Sequence, residues 1–256
     1  MVYQGPKARI AKDICPIIQK AIDESNCDTF IDAFVGGANL IQHIKCKNRI
    51  WYDVNPYLIA LLNNLDKIPD FEIPVSKEEY DACRAEWRSA QLTRPDWYIG
   101  AVGYIASFGG RFYDGGYAKN SPPSAPQRHE HLNRKNNILK QIPELSGCKF
   151  EVRDFFSLDC ENTVIYCDPP YHGTKPYPYD NYDKDKFWDK ARELSKNNKV
   201  FISELSAPED FKMIWHKKIK NTVGLNNSLE QVEKLFVKEW IKESQANAWL
   251  SFYFVL

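Results

Sequence analysis

The chain has 256 residues, 43% hydrophobic and 27% charged, with a formal net charge of +0. Such proportions fit a folded, water-soluble protein with one large α/β domain, or one domain carrying an insert. They exclude a membrane-spanning run and a global field that would attract a polyanion, so any such partner must be held by a local patch. The 7 cysteines are odd in number and include no Cys-x-x-Cys pair. That argues against a disulfide framework and a zinc site and for a reducing compartment. The amino-terminal region has no apolar signal core, and a cytoplasmic protein with no membrane contact is expected.

Tyr3-Gln4-Gly5-Pro6-Lys7 comes first: a glycine turn with a lysine at a helix start. Ile10, Ile14, Ile17, Ile18 and Ile22 follow at helical spacing over Ala8 to Ile22, interrupted by Pro16. Phe30-Ile31 opens a buried strand that runs to Phe34-Val35-Gly36-Gly37, where two glycines allow a ligand close to the backbone. A short helix is expected over Ala38 to Ile44. Strand, glycine turn and helix together suit a nucleotide-like cofactor, although the third glycine of the dinucleotide pattern is absent. Arg49 to Tyr52 reads as a second strand ending in Asp53, an acid placed for ribose hydroxyls. Asn55-Pro56 then caps and starts a helix.

Pro69 and Pro74 mark a boundary. Ser76 with Glu79 is a capping box opening a helix to Ala90. Trp97 to Tyr117 is so rich in glycine and aromatics that neither a plain helix nor a plain strand is expected. Ser121 to Pro126 is a proline loop, and a basic helix through Arg128, Arg134 and Lys135 follows. Between Arg84 and Lys135 eight basic residues face four acids, so this stretch is positive within a neutral chain. Basic groups among Trp, Tyr and Phe suit phosphates and bases.

The sheet resumes at Lys149 to Val152, followed by Asp154-Phe155, an acid and a ring that can bracket an adenine. Val164-Ile165-Tyr166-Cys167 is a short unbroken apolar run, the mark of a strand buried on both faces. Asp168-Pro169-Pro170-Tyr171 stops it: neither proline has an N–H for a ladder, and each pushes its predecessor to extended geometry. The product is a stiff corner at the carboxyl end of a central strand, where open α/β sheets bind ligands. It would suit a flat heterocycle with an exocyclic amine. Asp168 and the Pro169 carbonyl accept the amine hydrogens, and Tyr171 stacks on the ring. His172 to Asp183 reads as a flap bearing Tyr177, Tyr179 and Tyr182. A helix through Phe187 and Leu194, a strand Lys199 to Ser203, and a helix from Pro208 through Phe211, Ile214 and Trp215 are expected next. Ile219 to Val223, Leu235 to Trp240 and Ala248 to Leu256 read as β segments at a sheet edge.

In type and order, Tyr3 to Lys7, Phe34 to Gly37, Asp53 and Asp168 to Tyr171 resemble the Dam-like DNA adenine-N6 methyltransferases of the alpha group. The stretch Ser107 to Tyr117 looks most like phage-borne members. The resemblance implies a mostly parallel α/β methyltransferase sheet flanked by helices, formed by 1–68 and 148–256, with a target-recognition insert at 69–147. It implies S-adenosylmethionine as methyl donor, double-stranded DNA as partner, and neither a metal nor an obligate protein partner. Tyr3 and Lys7 would then line the methionine end, Phe34, Gly36 and Gly37 the cofactor turn, Asp53 the ribose, and Asp154-Phe155 the adenine. Asp168 would stand between cofactor and target, with Pro169, Pro170 and Tyr171 completing the catalytic corner. Arg94, Arg111, Tyr113, Lys119, Arg128, Arg134 and Lys135 would meet DNA. Pro6 stands where the family usually has glycine, and Ala38 where some members do. Cytosine N4 would pose the same chemistry, but an acid at position 168 tilts toward adenine. A DNA-binding protein with an inactive fold and an NAD-dependent oxidoreductase are the other readings.

Overall fold

The computed structural model describes residues 1, 7–25, 27–119, 129–145, 147–171, 182–222 and 228–238. Tyr3, Arg128, the proline loop and the tyrosines at 177 and 179 lie outside them, as does the expected segment 248–256. Seven strands form one sheet in the order β3-β2-β1-β4-β5-β7-β6. They are β1 Thr29–Asp32, β2 Asn48–Asp53, β3 Lys149–Val152, β4 Val164–Cys167, β5 Lys199–Ser203, β6 Phe211–Thr222 and β7 Ser228–Lys238. The first five run parallel, and β7 is antiparallel to both β5 and β6. This is the mostly parallel sheet the sequence predicts. All four residues of β4 are buried, as its apolar run requires. The strand order reverses between β1 and β4, which opens a crevice at their carboxyl ends.

Helix α1 (Ala11–Ser25) buries Ile14, Ile18, Ala21 and Ile22 against the sheet. Pro16 is tolerated because it lies on the exposed side, so the Lys12 carbonyl it leaves without a helical donor faces water. Helix α2 (Pro56–Leu62) starts as expected: the Asn55 side chain accepts from the N–H groups of Tyr57 and Leu58. The expected helix after the glycine turn shrinks to a single turn at Ile41–His43, with Ala38 in the left-handed region at φ 54°. Among the described residues no helix is long and apolar enough to cross a membrane. All 7 cysteines are free thiols.

Two expectations are corrected. The stretch from Trp97 contains a regular helix, α4 (Asp96–Ala106), buried from Ile99 to Ala106. Its glycines serve packing: a Cβ at Gly100 would strike the Tyr57 carbonyl oxygen, and one at Gly103 the Phe112 ring. The helix expected from Pro208 is instead β6. A bulge between Met213 and Trp215 inserts one residue and shifts the two-residue alternation, giving Phe211, Ile214 and Trp215 a helix-like spacing.

Helices α3 (Lys77–Ser89), α4 and α5 (Glu130–Leu145) come from residues 69–147, and α6 (Lys184–Leu194) precedes β5. One buried cluster joins Ile14, Phe30, Trp51 and Leu58 of the sheet layer to Tyr80, Val102 and Ile138 of residues 69–147, so the two share a core. Asn55 Nδ2 donates to Tyr104 Oη at 3.0 Å, while Gly100 abuts Tyr57 and Leu61. Helix α4 therefore runs antiparallel to α2 and delivers its carboxyl end to the sheet edge that carries Asp53. Phe112, just beyond it, stacks on Tyr57 with ring centroids 5.8 Å apart.

Candidate active site

The abrupt end of β4 leaves Asp168 at the crevice with 19% of its side chain exposed. Lys7, in the short turn before α1, reaches over to it: Nζ is 3.0 Å from Asp168 Oδ1. The same ammonium lies 3.2 Å from Glu233 Oε2 on β7 and donates to the Tyr171 hydroxyl. Tyr171 in turn donates to Glu233 Oε2 at 2.7 Å. Burial pushes the Asp168 carboxyl up, Lys7 pulls it back, Glu233 and Glu204 add to the push, and it settles at about 6. Burial works against the charge on Lys7, but the Asp168 and Glu233 carboxylates outweigh it and its pKa rises. Burial, Asp168 and Glu233 drive the Tyr171 phenol far upward, so it stays protonated.

Across the crevice, the chain beyond β1 stays wedged between its neighbours, with Ala33 N–H bonding to Tyr166 O and Val35 N–H to Tyr52 O. That brings the Gly36–Gly37 turn to the same edge. Asp53 holds it there: Oδ2 accepts the Gly36 N–H at 3.1 Å and Oδ1 the Asn55 N–H at 3.0 Å. Gly36 sits at φ 45°, where an L side chain would be strained. Asp32, at the end of β1, accepts the Phe34 N–H at 3.1 Å. Burial raises its carboxyl well above the usual range, the Phe34 N–H offsets part of this, and nearby Asp168 and Asp53 add to the rise.

Phe34 borders the crevice and packs on Phe155 at 5.3 Å. Phe155 is enclosed by Phe34 and Phe187 in a second core cluster, so it offers no open face for stacking. Asp154 is exposed and accepts the Phe156 N–H at 2.9 Å.

The expected DNA-facing residues divide sharply. Tyr113 is fully buried and donates to Ile99 O at 2.9 Å. Arg134 is also buried and donates to the carbonyls of Ile105 and Ser107. Both are scaffold groups, because burial and satisfied donors leave them nothing to offer a phosphate. Arg94 is clamped by Glu79 and Glu86, and Lys135 Nζ holds Pro69 O and Phe71 O at 2.7 and 2.8 Å. Arg111, paired with Asp114, and exposed Lys119 remain at the surface. Between α4 and Arg111, Phe108 is 65% exposed on a turn held by Phe108 N–H to Gly116 O at 2.8 Å.

Glu233, Asp32 and Phe108 were not singled out by sequence reasoning. Glu233 carried a readable signal, for in a strand it shares a face with buried Leu235. An acid on the buried face of a strand needs a partner. Asp32 is an acid directly before a glycine turn. Phe108 has no signal apart from its glycine neighbours.

A family model described as D12 class N6 adenine-specific DNA methyltransferase matches residues 3–98. The modification methylase StsI of Streptococcus sanguinis is 28% identical over 194 residues, covering 66% of this chain and 28% of that protein. The type II methyltransferase M.FokI of Planomicrobium okeanokoites is 24% identical over 211 residues, covering 75% of this chain and 32% of that protein. The chain thus spans about a third of the curated relatives it matches. An rRNA methylase structure from Streptococcus thermophilus overlaps 92% of this chain and 98% of its own, at 8% identity and a TM-score of 0.38. That overlap is loose, and the fold rests on the strand order itself. By sequence, residues 3–98 are similar to the D12 class N6 adenine-specific DNA methyltransferases.

Proposed function

We propose that the chain transfers a methyl group from S-adenosylmethionine to N6 of an adenine flipped out of double-stranded DNA. The carrying observation is that the acid–Pro–Pro–Tyr corner of β4 and the Asp53-held glycine turn after β1 stand at the one edge where the strand order reverses. The residues fit the cofactor: Gly36 and Gly37 present backbone without side chains, and Asp53 is fixed beside them at the end of the second strand, where an acid meets ribose hydroxyls. S-adenosylmethionine supplies a methyl group already activated on a sulfonium.

The chain supplies the rest. Asp168 and the Pro169 carbonyl accept the amine hydrogens and hold the nitrogen lone pair toward the methyl group, a proximity and electrostatic effect. Pro170 keeps the corner extended, and Tyr171 stacks on the base. Extruding a base costs a few kcal/mol, and one stacking contact returns roughly 1–3 kcal/mol. We assign target recognition to residues 69–147. Exposed Phe108 and Lys119 and half-buried Arg111 follow α4 to the edge that bears Asp53, the side from which a duplex would approach. The free thiols support a reducing, cytoplasmic setting.

The test is incubation of the purified chain with methyl-labelled S-adenosylmethionine and duplexes of varied sequence, followed by digestion to nucleosides. Label in N6-methyl-2′-deoxyadenosine is expected. Label in N4-methyl-2′-deoxycytidine, or none while the cofactor still binds, would overturn the assignment.

A further inference from the structure

We infer that Glu233 is a positioning residue of the transfer site: from antiparallel β7 it holds the Tyr171 hydroxyl and shares the Lys7 ammonium with Asp168. The inference rests on the methyl-transfer reading above. Glu233 is 5% exposed, and its Oε2 accepts from Tyr171 Oη at 2.7 Å and from Lys7 Nζ at 3.2 Å. It shares a strand face with Leu235, where sheet packing alone would favour an apolar residue. A buried carboxylate is costly unless paired, and Lys7 and Tyr171, which pair it here, belong to the crevice.

Two consequences follow from this geometry. Tyr171 is anchored at its hydroxyl as well as at the diproline corner, which fixes the ring before a base arrives and spares that ordering cost during reaction. Lys7 faces two carboxylates, so Asp168, Glu233 and Lys7 together carry one net negative charge where Asp168 and Lys7 alone would carry none. As the N–C bond forms and the S–C bond breaks to leave a neutral thioether, the amine nitrogen is positive until it sheds a proton to solvent, and a negative site stabilises that charge in place.

The groups facing Asp168 are Lys7 from the amino-terminal turn, Glu233 from β7, Glu204 after β5 and Asp32 from β1. Tyr166, Cys167 and Tyr171 face it as neutral groups. Removing the Glu233 charge leaves Lys7 to act on Asp168 with less opposition, so the carboxyl of Asp168 should ionise at lower pH.

The test compares wild type with E233Q, which keeps an amide oxygen for Tyr171 but loses the charge, and with E233D, which keeps the charge. Carbon-13 carboxyl titration of aspartate-labelled protein without cofactor, assigned with D168N, should show the Asp168 midpoint falling in E233Q by about half a unit or more. Single-turnover methyl transfer should slow by about tenfold or more in E233Q at a DNA KM within about threefold of wild type, with E233D in between. An unchanged midpoint together with an unchanged rate, or a change in thermal midpoint alone, overturns the proposal. If wild type transfers no methyl group, the functional reading fails, while the titration still decides the coupling of Glu233 to Asp168. Should E233Q not fold, Y171F cuts the same hydrogen bond from its other end, and transfer within twofold of wild type would sink the idea.

Discussion

Lys7 Nζ stands 3.0 Å from Asp168 Oδ1, joining the amino-terminal turn to the end of β4. Within the balance that leaves Asp168 at about 6, Lys7 is the largest influence favouring the ionised form. Lys7→Met keeps the bulk and removes the charge. The Asp168 carboxyl should then rise by roughly 1–3 units, so that much of it is protonated at neutral pH and cannot accept an amine hydrogen. The acid limb of the pH profile for single-turnover transfer is expected to move to higher pH by that amount. A limb that stays near 6 would show that Lys7 does not govern the acid.

The same carboxyl makes a stability prediction. Its folded-state value of about 6 lies above the ordinary 3.8, so between those pH values the folded chain holds a proton that the unfolded chain has released. The contribution is fully present below 3.8 and lost as pH rises through about 6. At neutral pH the ionised carboxylate therefore costs stability, roughly 1–3 kcal/mol. Asp168→Asn should melt higher than wild type at pH 7, with the difference shrinking on acidification toward pH 4, while transferring no methyl. Calorimetry across that range tests it, and an Asn variant that melts lower at pH 7 would contradict the sign.

Gly100 lies within α4, where alanine is intrinsically better by about 1 kcal/mol. Tyr57 O nevertheless occupies the place its Cβ would take, and that oxygen belongs to the first turn of α2. Gly100→Ala must push the two helices apart, and overpacking of this kind costs about 1–3 kcal/mol. The variant should lose stability in denaturant titration despite its better helix propensity. Because α2 follows Asp53 directly, its affinity for S-adenosylmethionine should fall as well. A variant as stable as wild type would mean that the contact yields freely.

The parallel strands and the stiff corner at Asp168 were legible because each is local: four apolar residues before Asp168-Pro169-Pro170, two glycines after Phe30-Ile31, and Asn55-Pro56 before an apolar helix. Glu233 was not, because its partners Lys7 and Tyr171 come to it only through the pairing of β7 with β5. In α4, Gly100 and Gly103 look like breakers until α2 and the Phe112 ring are placed against them. Composition identified residues 84–135 as basic, but composition cannot tell an arginine that meets solvent from one that is satisfied internally. Tyr113 and Arg134 went to the interior for that reason.

Arg134 and Lys119 should accordingly separate when tested. Arg134 donates to Ile105 O and Ser107 O, at the end of α4 and the start of the turn that presents Phe108. Arg134→Ala would strip that donor from the Ile105 carbonyl, at about 1–3 kcal/mol, and leave Ser107 O with the Gly110 N–H. It should destabilise the chain by roughly 1–3 kcal/mol, with the salt dependence of DNA binding unchanged under conditions where it remains folded. Lys119 is exposed at the far side of the same loop. Lys119→Ala should leave the melting point alone and lower the slope of log binding constant against log salt by about 0.9, the signature of one lost phosphate contact. Paired melting curves and salt titrations on both variants settle the assignment, and a reduced salt slope in Arg134→Ala with stability unchanged would return that arginine to the DNA-binding surface.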